Sequence, residues 1–115
     1  QNRIEEIELL IKKEDHEKAL KMISEYTKTA SEKHQGRLAF LKGNLLFTLT
    51  QPDSALKAYN RAYELALLAG NKELQSRILI NSGAVYSQTG QHIKAIEKFN
   101  DAIPILKDLQ NDALL

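Results

Sequence analysis

Two stretches of this chain superimpose on one another at a shift of 40 positions, with Leu74–Asn111 set under His34–Asn71. Gly43 then aligns with Gly83, Ala55 with Ala95, Ala62 with Ala102 and Asn60 with Asn100. Arg37 meets Arg77, Gln51 meets Gln91, and Tyr59 meets Phe99, aromatic on aromatic. A period of this size marks stacked supersecondary units, each of which buries its apolar face against its neighbours. Such a stack presents an elongated surface, better suited to holding a partner than to enclosing a reaction.

Each unit reads as helix, tight turn, helix. Small residues fall where two helices must touch: Gly43, Ala55 and Ala62, then Gly83, Ala95 and Ala102. Close approach of helix axes needs small side chains at the crossing, so Gly83 is expected against the second helix of its own unit, near Ala95. Leu46 and Tyr59, then Tyr86 and Phe99, fill the space between. Ala55, Tyr59 and Ala62 follow an i, i+4, i+7 spacing and share one helical face. The segment Ser82–Ala102, SGAVYSQTGQHIKAIEKFNDA, carries a Gly, a Tyr, a turn Gly, an Ala, a Phe and a final Ala in this order.

That pattern resembles the tetratricopeptide repeat, a helix–turn–helix unit. Lys42–Ala62 departs from it at Leu46, which replaces the Tyr, and at Thr50, which replaces the turn Gly. A third, thinner copy lies upstream, with Ala19 set 36 residues before Ala55. RIEEIELLIKK is its first helix and EDHEKALKMISEY its second, with Ile7 at the Gly position and Tyr26 at the final Ala position. The long period is similar to that of the arrays in kinesin light chains, polarity scaffolds and bacterial signalling regulators. The resemblance implies an all-α fold: a helical-hairpin solenoid of six antiparallel helices coiling as a right-handed superhelix. It would form one domain over 1–115, with units at about 1–33, 34–70 and 71–110.

Helices are expected at 2–13, 16–31, 34–49, 52–69, 72–89 and 92–109. Pro52 fits a first helical turn, where its missing N–H removes nothing. Gly70 and Gly90 suit the left-handed residue that closes a helix, and Asn71 and Asn111 suit N-caps. Pro104 falls inside the sixth helix and should kink it. Asn111-Asp112-Ala113-Leu114-Leu115 matches the start of the fifth helix, Asn71-Lys72-Glu73-Leu74-Gln75, so a fourth unit is expected to begin at 111–115. The sixth helix carries more apolar residues than one neighbour covers, namely Ile96, Ile103, Leu106 and Leu109, and self-association through that end is expected. Gln1 fits either an internal boundary or the residue left by signal-peptide removal.

Composition excludes several function classes. Sixteen basic and fifteen acidic side chains give no bulk attraction to nucleic acid. No run of 18 apolar residues exists to span a membrane. Cysteine is absent, which removes disulfides and thiolate metal sites and fits a cytoplasmic or an exported setting alike. His16 and His92 share a repeat position, three residues before Ala19 and Ala95, where a helix-start packing role is expected. His34 is expected at the surface. No histidine pair has metal-ligand spacing on one helix. The glycines stand singly, so no phosphate loop is formed, and no local serine-nucleophile motif occurs. Glu5, Glu6 and Glu8 belong to a solvated helix face, where Glu8 and Lys12 can pair. No enzyme activity and no cofactor are implied.

The remaining signal is electrostatic. The stretches His34–Leu49 and Leu74–Thr89 contain no Asp or Glu but carry Arg37, Lys42 and Arg77. In the repeat family the first helices line the concave groove. The resemblance places Arg37, Phe40, Asn44, Phe47, Arg77, Ile80, Asn81, Ala84 and Ser87 there, making a mildly basic groove with apolar patches. The alternative for the arginines is pairing with acids on neighbouring helices. Phe40 and Phe47, seven residues apart on one face, form either a docking strip or packing against flanking helices. Chaperone-binding members clamp a peptide's terminal carboxylates with Lys and Asn pairs. Asn44 matches one such Asn, whereas Phe40 and Ile80 stand where a clamp Lys would be. The function expected is noncatalytic recognition of a protein or an acidic, partly apolar peptide. The runner-up is a sensor segment of a larger bacterial signalling or transcription regulator.

Overall fold

The computed structural model describes residues 2–114, and all side chains among them except that of Leu114. The described residues form six helices: α1 Arg3–Lys12, α2 His16–Thr27, α3 Glu32–Thr48, α4 Pro52–Leu68, α5 Lys72–Gln88 and α6 His92–Leu114. Each helix packs on the next in sequence, and α3 also packs on α5. That pattern is the one of stacked hairpins, in which first helices neighbour one another across units.

The turns inside the hairpins share one hydrogen-bond scheme. The N–H of Asp15 bonds the Leu10 carbonyl while that of Glu14 bonds Ile11. Gln51 and Thr50 repeat the pair on Leu46 and Phe47, and Gln91 and Gly90 repeat it on Tyr86 and Ser87. Asn71 and Gly70 close α4 in the same way, on Ala66 and Leu67. This Schellman geometry places one residue in the left-handed region, and Gly70 and Gly90 stand there as expected, with φ of 65° and 82°. Glu14 and Thr50 adopt the same conformation, with φ of 63° and 62°. The turn therefore survives the loss of its glycine, because the paired backbone bonds and the hairpin packing hold it.

The helix ends differ from the sequence expectation by more than one residue in two places, the α2–α3 junction and the end of α6. α2 stops at Thr27 and α3 begins at Glu32. The Gln35 side chain explains this: its amide donates to the carbonyls of both Thr27 and Ala30, 2.9 Å each, and so satisfies acceptors that a longer α2 would have used internally. α6 runs past Asn111 to Leu114; nothing from Ile105 to Leu114 is Gly or Pro, so no residue there stops the helix or frees Asn111 to cap another. The expected start of a fourth unit reaches position 115, which lies outside the described residues. Pro104 sits within α6 as anticipated, on its exposed side.

The core forms two clusters joined by α3. Ile4, Ile7, Ala19 and Ile23 pack with Leu38, Leu41 and Leu45. Phe40, Ala55, Tyr59, Ala62, Ala66, Leu74, Ile78 and Val85 form the other. Because α3 feeds both, its apolar residues surround it rather than forming one stripe. α4 is the opposite case: Ala55, Tyr59, Ala62 and Ala66 make a single buried stripe. Gly43 lies under the Tyr59 ring, where a Cβ would sit 2.5 Å from Cε1, and Gly83 lies under Phe99, where a Cβ would meet Cδ1 at 2.8 Å. The glycine crossing is thus with the aromatic of the second helix, one turn beyond Ala95.

Candidate binding face

α3 and α5 each turn one strip away from the hairpin interiors. On α5 the residues Leu74, Gln75, Ser76, Ile78, Leu79, Ser82, Gly83 and Val85 are buried. Between these buried positions runs the row Arg77, Ile80, Ala84 and Ser87, exposed except for the half-buried Ala84, at spacings of three and four that define one helical face. Ile80 is 40% exposed between the buried Leu79 and the half-buried Asn81. Phe47 on α3 is half-buried against the second cluster.

Other expected groove residues are engaged within the protein. Phe40 is a core residue, 6% exposed and tilted against the Tyr59 ring at a centroid distance of 6.0 Å. It packs rather than lining a groove, because α4 and α5 both close over it. Asn44 is held on two sides: its Oδ1 accepts the Tyr59 hydroxyl at 2.5 Å and the Asn81 amide at 2.9 Å. Its acceptor therefore faces the junction of α3, α4 and α5 rather than a peptide terminus. Burial pushes the Tyr59 hydroxyl up to about 12, with the smaller effect of the Asn81 side chain acting in the opposite direction.

Arg37 follows the alternative of pairing with an acid on a neighbouring helix, whereas Arg77 pairs within its own helix. Arg37 donates to Glu8 on α1 at 2.5 Å, with both side chains about two-fifths exposed (40% and 39%). Arg77 pairs with Glu73 one turn earlier at 3.1 Å, and both are mostly exposed. The acid-free stretches are thus bounded too tightly to include the acids that matter. Glu8 comes from the preceding unit and Glu73 from the first turn of α5 itself. Surface pairs of this kind are worth about 0–1 kcal/mol, so neither acid holds its arginine strongly. Lys42 lies on the far side of α3, five residues and about 140° from Arg37.

Stacked helical hairpins, a common turn and small-residue crossings at Gly43 and Gly83 are all in place, and the tetratricopeptide-repeat family model matches residues 34–108. The chain belongs to the tetratricopeptide-repeat family. It is also similar to human outer dynein arm-docking complex subunit 4, at 30% identity over 94 residues. That match covers 79% of this chain and 14% of the human protein, so the chain spans about one-seventh of that relative's length. Tetratricopeptide repeats are protein–protein interaction modules, and no helix here is long and apolar enough to cross a membrane among the described residues.

Within this repeat frame, several structural residues carry signals that sequence reasoning passed over. Gln35 and Gln75 are identical at the 40-residue shift, and both cap the preceding second helix: Gln75 donates to the Ala66 carbonyl at 3.2 Å. His34, expected at the surface, is instead half-buried, because it packs on Tyr26, whose hydroxyl lies 3.0 Å from its Nδ1 while Arg3 lies over the Tyr26 ring at 5.4 Å. His16 is half-buried with Nδ1 shielded from solvent, whereas His92 is exposed at the start of α6. The shared repeat position therefore gives packing in the first unit only.

Proposed function

We propose that this segment is a noncatalytic recognition module that takes an extended or helical peptide on the face of its first helices. The observation that carries this reading is the row Arg77, Ile80, Ala84 and Ser87, exposed except for the half-buried Ala84, along an α5 whose middle is otherwise largely buried. Phe47 and Asn81 border it, and Arg37 stands at the far end beside Glu8. The favoured ligand is an acidic, partly apolar peptide. Its carboxylates displace Glu8 and Glu73 from the arginines, and its apolar residues cover Ile80 and Phe47. Bidentate contacts from Arg to carboxylate supply direction, and desolvation of Ile80 supplies affinity.

The test is selection of peptides from a displayed random library on the immobilised chain, followed by titration against variants. Enriched peptides should be acid-rich, weaken with added salt, and lose affinity on Arg77→Glu and on Ile80→Asp. Peptides whose binding is indifferent to both substitutions, in a chain that keeps its helical signal, would remove this face from consideration.

A further inference from the structure

On the side of α3 opposite Arg37, a cleft of about 560 Å³ runs between α2 and α4. Ala39, Leu46, Ala58 and Leu65 give it an apolar floor, and Lys42, Lys57 and Arg61 stand along it without a carboxylate among the lining residues. Among the described residues no acid lies within ion-pair reach of Lys42 or Lys57, and Arg61 has only a loose 3.9 Å contact with Glu64 on its own helix, both largely exposed. The repeat supplies an internal comparison. The positions equivalent to Ala39, Lys42 and Leu46 are Leu79, Ser82 and Tyr86. Leu79 and Ser82 are buried and Tyr86 is half-buried, whereas Lys42 is exposed and Ala39 is only half-covered. The bulk that fills this position in the third unit is missing from the second. α2, at 12 residues, is also shorter than α4, at 17.

We propose that this cleft is a second docking site, on the face of the second helices, and that its occupant is an acidic amphipathic helix from a partner protein. Charge and spacing decide the occupant. Lys57 and Arg61 are one turn apart on α4, about 6 Å along the axis. Carboxylates at i and i+4 on a helix laid beside α4 repeat the same interval and meet both cations, while Lys42 takes a third from the α3 side. A helix lying in an apolar groove anchors through residues at i, i+3 and i+4, which fall here on Ala39, Leu46 and Ala58. A single-headed fatty carboxylate offers one charge to three cations spread over two helices and leaves the others unmatched. This site uses none of the residues assigned to the α3–α5 face, so either can fail without the other.

The probe is a displayed library of helix-constrained peptides with Glu fixed at i and i+4 and apolar positions randomised, selected on the whole chain. Winners should shift backbone amide resonances of Ala39, Lys57 and Ala58 and weaken on charge reversal. Lys57→Glu with Arg61→Glu should reduce affinity by roughly tenfold or more, and Arg77→Glu should leave it unchanged. Ala39→Leu installs the residue that the third unit carries at this position, so the fold has a precedent for it, and should block binding by filling the floor. A library that yields no winners overturns the proposal. So do winners indifferent to both the charge-reversed and the Ala39→Leu variants, and so does decanoate alone shifting the cleft amides.

Discussion

Asn44 and Asn81 join neighbouring repeats side chain to side chain, the Asn81 amide donating to Asn44 Oδ1 at 2.9 Å, and the Tyr59 hydroxyl completes the junction at 2.5 Å. One carbonyl oxygen thus ties α3 to α5 and to α4. The next unit has Ala84 and Phe99 at the equivalents of Asn44 and Tyr59, so the polar junction and the aromatic hydroxyl appear and disappear together.

Asn44→Ala should therefore cost about 1–3 kcal/mol, the penalty for leaving the Tyr59 hydroxyl and the Asn81 amide without their acceptor. Tyr59→Phe alone should cost less. The double variant reproduces the Ala84 and Phe99 pairing and should lose less than the sum of the single changes. Urea melts of the three variants check this, and strict additivity would dismiss the coupling.

The same hydroxyl sets an alkaline limit. Its pKa is raised from 10.0 to about 12 by burial, so the unfolded chain releases this proton before the folded one does. A raised folded pKa contributes stability that is intact below pH 10 and is lost as pH climbs through the folded value. Stability should fall across that window, and Tyr59→Phe should flatten the fall. Melts at stepped alkaline pH, with tyrosinate absorbance followed in parallel, provide the measurement.

The two crossing glycines should respond unequally to alanine. Both would drive a methyl into an aromatic ring. Tyr59 is 1% exposed and anchored by its hydrogen bond, whereas Phe99 is 38% exposed and has room to swing. Gly43→Ala should be destabilising by the roughly 1–3 kcal/mol of overpacking, less about 1 kcal/mol of helix propensity regained. Gly83→Ala should be near neutral or stabilising, and thermal melts rank the pair. A third buried helical glycine, Gly36, would not serve as a neutral reference for the pair, because a Cβ there meets Leu74 at 3.3 Å and Leu65 at 3.5 Å.

Thr50→Gly and Glu14→Gly should each stabilise the chain by about 0.5–1 kcal/mol, since both residues hold a left-handed conformation that glycine adopts without a Cβ clash. Thr50, being β-branched, should gain more. A lower melting temperature for Thr50→Gly would mean that its side chain supplies something the turn geometry does not.

Ile96, Phe99, Ile103 and Leu106 form an exposed apolar stripe on α6, between 38% and 57% open. Sedimentation over a concentration range should show self-association, and Ile96→Glu with Ile103→Glu should return a monomer. A monomer at every concentration for the unaltered chain would contradict the stripe's role.

The hairpins were legible in sequence because they rest on periodic signals: the 40-residue shift, the Ala55–Tyr59–Ala62 stripe, and Gly70 and Gly90 at helix ends. The binding residues were less legible because a groove position and a core position can share one helical face. Phe40 sits one turn before Asn44 on α3, yet α4 and α5 close over it, and no local spacing reveals how far a neighbouring unit reaches. The same holds for Arg37, whose partner Glu8 lies 29 residues away in another unit. The α2–α4 cleft depends on what is missing at Ala39, which shows only when Leu79 is laid beside it.

Gln35 and Gln75 have one further consequence. The Thr27 and Ala30 carbonyls at the end of α2 receive their bonds from Gln35, whereas the Ala66 carbonyl of α4, already bonded by the Asn71 N–H, takes a second bond from Gln75. When the protein is made from its N-terminus, the first hairpin leaves the ribosome with its end still open to water, and closes only when the next hairpin supplies its glutamine. The first hairpin is thus finished by its successor, which gives this end of the array a direction in time as well as in space.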